Sequence, residues 1–158
     1  MHPFDQAIQD LGLELPPTPK PVGSYVPVAI SGALAFLSGQ ISKNVDGSIV
    51  TGKLGRELTL EQGKEAAKIA ALNAVSIIKN LIGFEEVSRI VRVTGYVHAM
   101  PDFFEIPQVV NGASDLFLAV FGEKGIHARS AVGMAALPLN AAVEIEVTVE
   151  LTGAAKFS

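Results

Sequence analysis

Residues 143–151 alternate strictly between apolar and polar side chains, and this pattern constrains the fold more than any other segment. The apolar positions are Val143, Ile145, Val147, Val149 and Leu151, and the positions between them are Glu144, Glu146, Thr148 and Glu150. Successive side chains of a β-strand point to opposite faces of a sheet, so a period of two predicts a strand with one buried face and one polar face. The chain must therefore supply other elements that cover the apolar face of a sheet.

Two segments have the spacing of helices that could provide this cover. Thr59 and Gln62 form a capping box ahead of a periodic apolar stripe that ends at Gly83. A second helix is predicted from Pro107 to Phe121, because proline is well tolerated in the first turn of a helix and breaks a helix further along. The buried stripes are predicted to be Ala67, Ala71, Val75, Ile78 and Ile82 in the first helix, and Val110, Ala113, Phe117 and Val120 in the second.

Four further apolar runs are predicted to be strands. Residues 25–30 and 33–41 flank a turn at Ser31 and Gly32, which favours a hairpin, while residues 90–100 and 128–137 are the other two runs. Residues 42–58 contain three glycines among charged residues and are predicted to be a loop. The resulting order, β-β-α-β-α-β-β, predicts an α+β fold with an antiparallel or mixed sheet and both helices on one face.

The chain has 158 residues, which suits one compact domain. A short helix is predicted over residues 3–11, and the prolines of residues 16–21 exclude regular helix there. We therefore divide the chain into an N-terminal arm with a proline-rich linker, residues 1–21, and a single domain, residues 22–158.

Composition excludes several classes of function. The net charge of -4 and the scattered lysines and arginines argue against a nucleic-acid partner, which would require clustered cations. The chain contains no cysteine, which suits a reducing compartment such as the cytoplasm, and its first residues do not resemble a signal peptide. Residues 21–42 are uncharged, but proline, glycine and polar residues interrupt them, so we expect a buried hairpin and no membrane span.

Self-association is expected from the high fraction of hydrophobic residues. Hydrophobic residues make up 49% of the chain and charged residues only 18%, which is apolar for a protein of this size. A sheet with helices on one face leaves its second face to be covered, and apolar residues such as Phe36 and Val91 would lie there or nearby. Other copies of the chain are the expected cover.

Arg129 is the most suggestive single residue for chemistry. It lies in a run without other acidic or basic side chains apart from His127, and the small residues Ala131 and Gly133 follow on its strand face. A guanidinium in such surroundings can bind a ligand carboxylate through two parallel hydrogen bonds. The alternative is an ion pair with Glu144 or Glu146, and the spacing does not decide between them.

The other candidates also have two interpretations. Glu144 could be a solvent-exposed carboxylate at a sheet edge, or it could hold a water molecule and take its proton. Gly39, after Ser38, could form a bulge or admit a ligand close to the backbone. Tyr25 could lie at the sheet rim or form a pocket wall, and Asn111 is predicted to be a polar residue of the second helix.

Motifs for metal and cofactor binding are not found. His2, His98 and His127 lack the spacing of metal ligands, and the chain has no phosphate-binding or dinucleotide-binding glycine motif. We expect neither a metal nor a cofactor.

Several short motifs together resemble the YjgF/YER057c/UK114 family, also called the Rid or reactive intermediate deaminase family. The resemblance extends in order from Val22 to Leu151. Its motifs are VGSY at 22–25, FLSGQI at 36–41, Asn111 followed by Phe117 and Phe121, ARSAV at 128–132, LP at 137–138 and VEIEV at 143–147.

The resemblance implies a chorismate-mutase-like fold that forms a homotrimer with ligand clefts between subunits. It also implies a deaminase of the 2-iminobutanoate/2-iminopropanoate type, which hydrolyses 2-imino or 2-enamino acids to 2-keto acids and ammonia without metal or cofactor. Other relatives are named endoribonuclease or translation inhibitor, and a trimer that binds a small carboxylate without turnover is a further alternative.

The same resemblance assigns roles to residues. Arg129 would bind the substrate carboxylate and Glu144 would position the attacking water. Substrate binding would also involve Tyr25, which would line the site, Ser38 and Gly39, which would border it, and Ser130 and Asn111. The chain departs from the family in having Ala131 where cysteine is frequent, in its extended N-terminus and in its longer loop at residues 42–58.

Overall fold

The computed structural model describes residues 1–20 and 23–153, which form three α-helices and a six-stranded sheet. The helices are α1 (Pro3–Asp10), α2 (Leu60–Ile77) and α3 (Ile106–Phe121), and a π-helical turn, Ile78–Ile82, extends α2. The strands are β1 (Val28–Ser31), β2 (Leu34–Leu37), β3 (Gln40–Ile41), β4 (Val87–His98), β5 (Ala128–Met134) and β6 (Val143–Leu151). The predicted α+β class with two main helices is confirmed.

The sheet is mixed, with the strand order β1-β2-β6-β4-β5, and β3 also pairs with β6. Strands β4 and β5 are parallel and are joined by α3, whereas the other pairs are antiparallel. A helical crossover is the usual connection between parallel neighbours. In this strand order β6, the strand with the clearest alternation, lies in the centre of the sheet. The interpretation of its glutamates as an exposed edge is therefore wrong.

The two faces of the sheet differ as the alternation predicts. The apolar residues of β6 are buried together with those of α2 and α3. We call the other side the open face, and it carries Phe36, Tyr96, Val132, Glu144 and Glu146. Phe36 is 46% and Val132 is 42% exposed in the single chain. The helices thus cover one face, and apolar side chains remain on the other.

The N-terminal arm packs against the helices of its own chain. Phe4 of α1 is buried and makes edge-on ring contacts with Phe84 and Phe121. After α1 the chain passes along α2, where the Ser76 hydroxyl donates a hydrogen bond of 2.7 Å to the Pro16 carbonyl. The arm is therefore attached to the domain both at α1 and at the first residue of the proline-rich segment.

Helix starts follow the predicted local signals. The Thr59 hydroxyl accepts from the Gln62 amide nitrogen at 3.2 Å, and the Gln62 side chain accepts from the Thr59 amide nitrogen at 2.9 Å. Helix α3 has Pro107 in its first turn. Both predicted N-termini are confirmed to within a residue.

The predicted strand over residues 33–41 is interrupted at Ser38 and Gly39. Phe36 pairs with Thr148 and Gln40 pairs with Ile145, so four steps along this segment oppose three steps along β6. One extra residue in one strand is a β-bulge, which bends the strand and redirects its side chains. This bulge separates β2 from β3 and lies beside the middle of β6.

Other strand ends also differ from the sequence prediction, and the strand predicted over residues 90–100 is observed as β4, Val87–His98. The first strand begins at Val28, so Tyr25 lies in the segment before it. The predicted strand over residues 128–137 ends at Met134, because the chain turns through Pro138 with positive φ values at Leu139 and Asn140.

Gly112→Ala is expected to be strongly destabilising. A Cβ atom at Gly112 of α3 would overlap the backbone carbonyl of Lys64 in α2, so the two helices would have to separate. We expect a loss at or above the upper end of the about 1–3 kcal/mol typical of overpacking, measured as the free energy of unfolding in denaturant. Asp115→Ala, at an exposed position of the same helix, controls for helix propensity and should change stability little. Equal stability of both variants would contradict the prediction.

Candidate functional site

A cleft of about 280 Å³ opens beside β6 and contains three of the candidate residues. Tyr25, Gly39 and Glu144 line it together, and the ammonium-bearing side chains Lys20 and Lys43 border it. The bulge between β2 and β3 brings Gly39 to the carboxylate of Glu144. The fold therefore assembles one group of predicted residues around a single carboxylate.

Gly39 is required for this close approach. A Cβ atom at this position would lie 2.8 Å from Glu144 Oε2 and 2.9 Å from Cδ. Because the obstructing atoms belong to the end of a flexible side chain, the fold would tolerate the substitution and the carboxylate would move.

Gly39→Ala is accordingly expected to lower turnover at least about tenfold, the size of effect that small misplacements of reacting groups produce. The free energy of unfolding should change by less than about 1 kcal/mol, because only a side chain has to shift. Steady-state kinetics and denaturant unfolding of the same preparation measure the two quantities. Native kcat in this variant would show that the position of the carboxylate is unimportant.

Ser38 shapes the cleft from behind. Its hydroxyl donates to the Val26 carbonyl at 2.6 Å, and its amide nitrogen donates to the Pro27 carbonyl at 2.9 Å. These bonds fasten the segment that carries Tyr25, whose side chain is 51% exposed. Ser38 thus holds the wall of the cleft in place.

The pKa of Glu144 is raised above its ordinary value. Partial burial of the carboxylate is the main cause, and the negative charge of Glu146 is the second. Glu146 itself accepts a hydrogen bond of 3.2 Å from the Tyr96 hydroxyl, whose pKa is also raised, chiefly by burial and then by the charge of Glu146. Glu144 is therefore a stronger proton acceptor than an ordinary surface glutamate, which suits a general base.

The pH dependence of activity tests whether the charge of Glu146 raises the pKa of Glu144. A base must be deprotonated to act, so kcat/KM should fall as the pH decreases through the raised pKa of Glu144. Glu146→Gln removes one of the two causes and should move this acidic limb to lower pH. Glu150→Gln, on the same face of β6 but beside Arg89, is the matched control and should leave the limb in place. A limb that stays fixed or moves to higher pH in Glu146→Gln would count against Glu144 as the base.

Arg129 lies on the other side of the sheet, facing α3. Its Nη1 atom donates to Asn111 Oδ1 at 2.7 Å and to Ser114 Oγ at 3.2 Å. Within residues 1–20 and 23–153, neither its Nε nor its Nη2 atom donates to any group, and no carboxylate lies within ion-pair distance of it. The alternative of an ion pair with Glu144 or Glu146 is therefore wrong for the single chain.

Ser130, although adjacent in sequence, has a different environment. Its side chain is on the open face, where its hydroxyl accepts a hydrogen bond of 2.6 Å from Arg92 Nη2. Neighbouring residues of a strand point to opposite faces, so the Ser130 and Arg129 side chains do not meet in one chain. Asn111, in contrast, contacts the guanidinium directly.

The two groups of candidate residues are separated. Arg129 pairs with Val93 and Glu144 pairs with Tyr96, on strands that flank β4 and with side chains on opposite faces. Two strand spacings alone amount to about 10 Å. One chain does not bring the guanidinium and the carboxylate to the same small ligand. Since β5 is the last strand in the order of the described sheet, its residues lie at a border that a second chain can approach.

Sequence analysis missed Ser114 and His127, which the structure connects to Arg129. Ser114 Oγ lies 2.9 Å from His127 Nε2, and His127 Nδ1 lies 2.6 Å from the Gly125 carbonyl oxygen. The spacing carried a signal for both. Ser114 is one helical turn after Asn111. His127 precedes Arg129 by two residues, so extended backbone there places both side chains on the same side.

The structure contains no evident metal centre in the part of the chain it describes, where no cluster of three or more histidine or acidic side chains is placed to hold an ion. His98 is buried, and its Nδ1 atom has no hydrogen-bond partner among the described residues. None of the described helices is long and apolar enough to cross a bilayer.

Comparison with known proteins identifies the family. The family model described as "YjgF/chorismate mutase-like, putative endoribonuclease" matches residues 6–151. The chain belongs to the YjgF family. This match includes the second part of α1 and the proline-rich segment as well as the sheet and the two main helices.

Proteins similar to this chain have varied descriptions. Protein TCP17 of Trypanosoma cruzi is 45% identical over 146 residues, which is 91% of each chain. A 2-iminobutanoate/2-iminopropanoate deaminase of Dermatophagoides farinae is 30% identical, with 87% of this chain and 93% of the deaminase covered. The crystal structure of Atu1372 from Agrobacterium tumefaciens, a protein of unknown function, has a TM-score of 0.86 and 39% identity, with 94% of each chain covered. The resemblance noted from short motifs is thus confirmed at the level of the family.

Proposed function

We propose that the protein hydrolyses 2-imino and 2-enamino acids to 2-keto acids and ammonia, in clefts between the subunits of a homotrimer. The observation that carries the proposal is the state of Arg129. Neutral side chains hold its Nη1 atom, while Nε and Nη2 have no partner within residues 1–20 and 23–153. These two nitrogens form the fork that binds a carboxylate through parallel, charge-assisted hydrogen bonds.

Glu144 would supply the proton transfers. A water oxygen bonds to the carbon of the protonated imine, the C=N electron pair moves to nitrogen, and Glu144 takes a proton from the water. The nitrogen then takes that proton back, the C–N bond breaks, and the hydroxyl proton leaves with ammonia as ammonium. An enamino acid reaches the same imine by protonation at its β-carbon. The raised pKa of Glu144 suits a group that accepts and returns one proton.

Assembly follows from the separation of Arg129 and Glu144. A shared site requires Arg129 from one subunit and Glu144 from another, because a single chain holds them on opposite faces of the sheet. The exposed Phe36 and Val132 on the open face favour burial against further copies of the chain. A closed cyclic trimer would give each subunit the same two contacts.

The deaminase among the similar proteins supports this activity. The lack of cysteine suits a cytoplasmic setting.

A homotrimer that binds small carboxylates without turnover would use Arg129 in the same way and would not need Glu144. Endoribonuclease activity, which the family description names, is disfavoured here because Glu144, Glu146 and Glu150 share the open face and would repel phosphates.

The experiment couples an amino-acid oxidase to the protein. The oxidase releases a 2-imino acid, and the rate at which the imine disappears is followed with and without the protein. We expect a faster, saturable loss of imine with equal release of 2-keto acid and ammonium. Equal rates at high protein concentration would exclude the deaminase, and retained binding of 2-ketobutyrate in that case would favour the non-catalytic alternative.

A further inference from the structure

A chain of hydrogen bonds supports Arg129 from behind. Arg129 Nη1 lies 3.2 Å from Ser114 Oγ, which lies 2.9 Å from His127 Nε2, and His127 Nδ1 lies 2.6 Å from the Gly125 carbonyl oxygen. We call Ser114 and His127 the supporting pair. Its members come from α3 and from the segment just before β5, so they join the two elements that flank the guanidinium.

The partners fix the direction of each bond in the supporting pair. A backbone carbonyl can only accept, so His127 Nδ1 carries the hydrogen. In the neutral ring, Nε2 then has a lone pair and accepts the hydrogen of the Ser114 hydroxyl. Since a guanidinium can only donate, Ser114 Oγ presents a lone pair to Arg129. His127 thus turns the hydroxyl hydrogen away from the cation.

The far end of this chain is rigid. A Cβ atom at Gly125 would overlap the Phe117 carbonyl, so the backbone at Gly125 lies directly against the end of α3. The His127 ring also packs edge-on against the Phe117 ring, with centroids 6.0 Å apart. Ser114 is itself buried, at 9% exposure. None of these groups can follow Arg129 if its side chain moves.

Ser114, held by His127, and Asn111 together determine the plane of the guanidinium. The two hydrogens of Nη1 lie in that plane, so two acceptors, Asn111 Oδ1 and Ser114 Oγ, define its orientation where one acceptor alone would leave a rotation free. The direction of the unpartnered Nε and Nη2 donors follows from the plane. A carboxylate is bound well only when its two oxygens meet both donors.

We propose that Ser114 and His127 are positioning residues that orient Arg129 for a substrate carboxylate. This inference rests on the proposed function for its substrate class but concerns the carboxylate-binding step alone. Ser114 acts on Arg129 directly, and His127 acts through the Ser114 hydroxyl.

Substitutions at Ser114 should affect binding more than chemistry. Ser114→Ala should raise KM for the imino acid about 3- to 10-fold, the size of an ordinary net hydrogen bond, because Arg129 keeps its own bonds to the carboxylate and loses only one support; kcat should change less than about twofold. Ser114→Thr keeps the hydroxyl and should restore KM toward the native value. Thermal unfolding of each variant shows whether the fold is retained.

His127 offers a matched pair of substitutions. His127→Gln places an acceptor near the position of Nε2 and should keep most of the affinity, whereas His127→Asn can reach only the Gly125 carbonyl and should behave like Ser114→Ala. The double variant Ser114→Ala/His127→Asn should be no weaker than Ser114→Ala, because both changes remove the same support. Fully additive losses would overturn the proposed order of action.

Direct binding separates this inference from the proposed function. Calorimetry with 2-ketobutyrate and with its amide measures the preference for a carboxylate without any turnover, and Ser114→Ala should reduce that preference. Nitrogen NMR of the Arg129 guanidinium should show faster rotation about the Cζ–Nη1 bond in the same variant. If the native protein proves inactive, these two measurements still decide. Native rotation together with unchanged 2-ketobutyrate affinity in Ser114→Ala would overturn the proposal.

Discussion

Glu144→Gln is expected to lower kcat for 2-imino acid hydrolysis by about 10²- to 10⁴-fold, the usual contribution of a positioned general base. Glutamine has nearly the same shape and still fits beside Gly39, where there is no room for a larger neighbour. It cannot take a proton from water, so the loss should appear in kcat while KM remains close to the native value. Assays in which an amino-acid oxidase generates the 2-imino acid in the reaction mixture measure kcat and KM.

The control for this variant is Glu150→Gln, which removes a carboxylate from the same face of β6 at a distance from the cleft. It should leave kcat nearly unchanged. A Glu144→Gln protein with native kcat would contradict the assignment of the base, and the proposed mechanism would have to be abandoned.

Arg129→Ala is expected to lower kcat/KM by roughly 100-fold or more, because two hydrogen bonds between charged groups, each worth about 1.5–3 kcal/mol, are lost. Affinity for 2-ketobutyrate should fall in parallel, which distinguishes this residue from Glu144. Arg129→Lys keeps the charge but not the planar fork, and an ammonium cannot replace a bidentate contact, so it should recover only a small part of the loss. Equal affinity for 2-ketobutyrate in native protein and Arg129→Ala would refute the carboxylate site.

Mixing the two inactive variants tests whether the site is shared. In a random mixture of Arg129→Ala and Glu144→Gln chains, about one quarter of the clefts of a cyclic trimer would combine a native arginine with a native glutamate from the neighbour. Activity should therefore return after subunit exchange. A mixture that stays inactive despite verified exchange would show that both residues serve one chain alone.

Much of the fold could be predicted because the local patterns were strong. The alternation in residues 143–151, the capping box at Thr59 and the proline at the start of α3 each have a direct structural cause, and each element formed where it was expected. A bulge at Gly39 was one of two interpretations of the sequence, and the local pattern could not decide between them, because a bulge depends on pairing with β6, a strand more than 100 residues away.

The site was less accessible to sequence reasoning. The surroundings of Arg129 in the sequence marked it as unusual, and the family resemblance pointed to Glu144. Neither indicated that β4 separates their strands or that their side chains occupy opposite faces. The partners of Arg129 could not be predicted either, since a neutral amide and a hydroxyl are common on helix surfaces. They become informative only because the crossover from β4 to β5 places α3 beside Arg129. Strand order, which depends on long-range pairing, was the missing information.

The placement of Arg129 and Glu144 on opposite faces has a consequence for how activity depends on abundance. A catalyst whose two halves reside on different polypeptides loses its function when it dissociates, even though every subunit stays folded. Its specific activity would decline on dilution below the dissociation constant of the assembly, so output would rise more steeply than in proportion to the amount of protein. Expression level would then act as a threshold control that requires no effector.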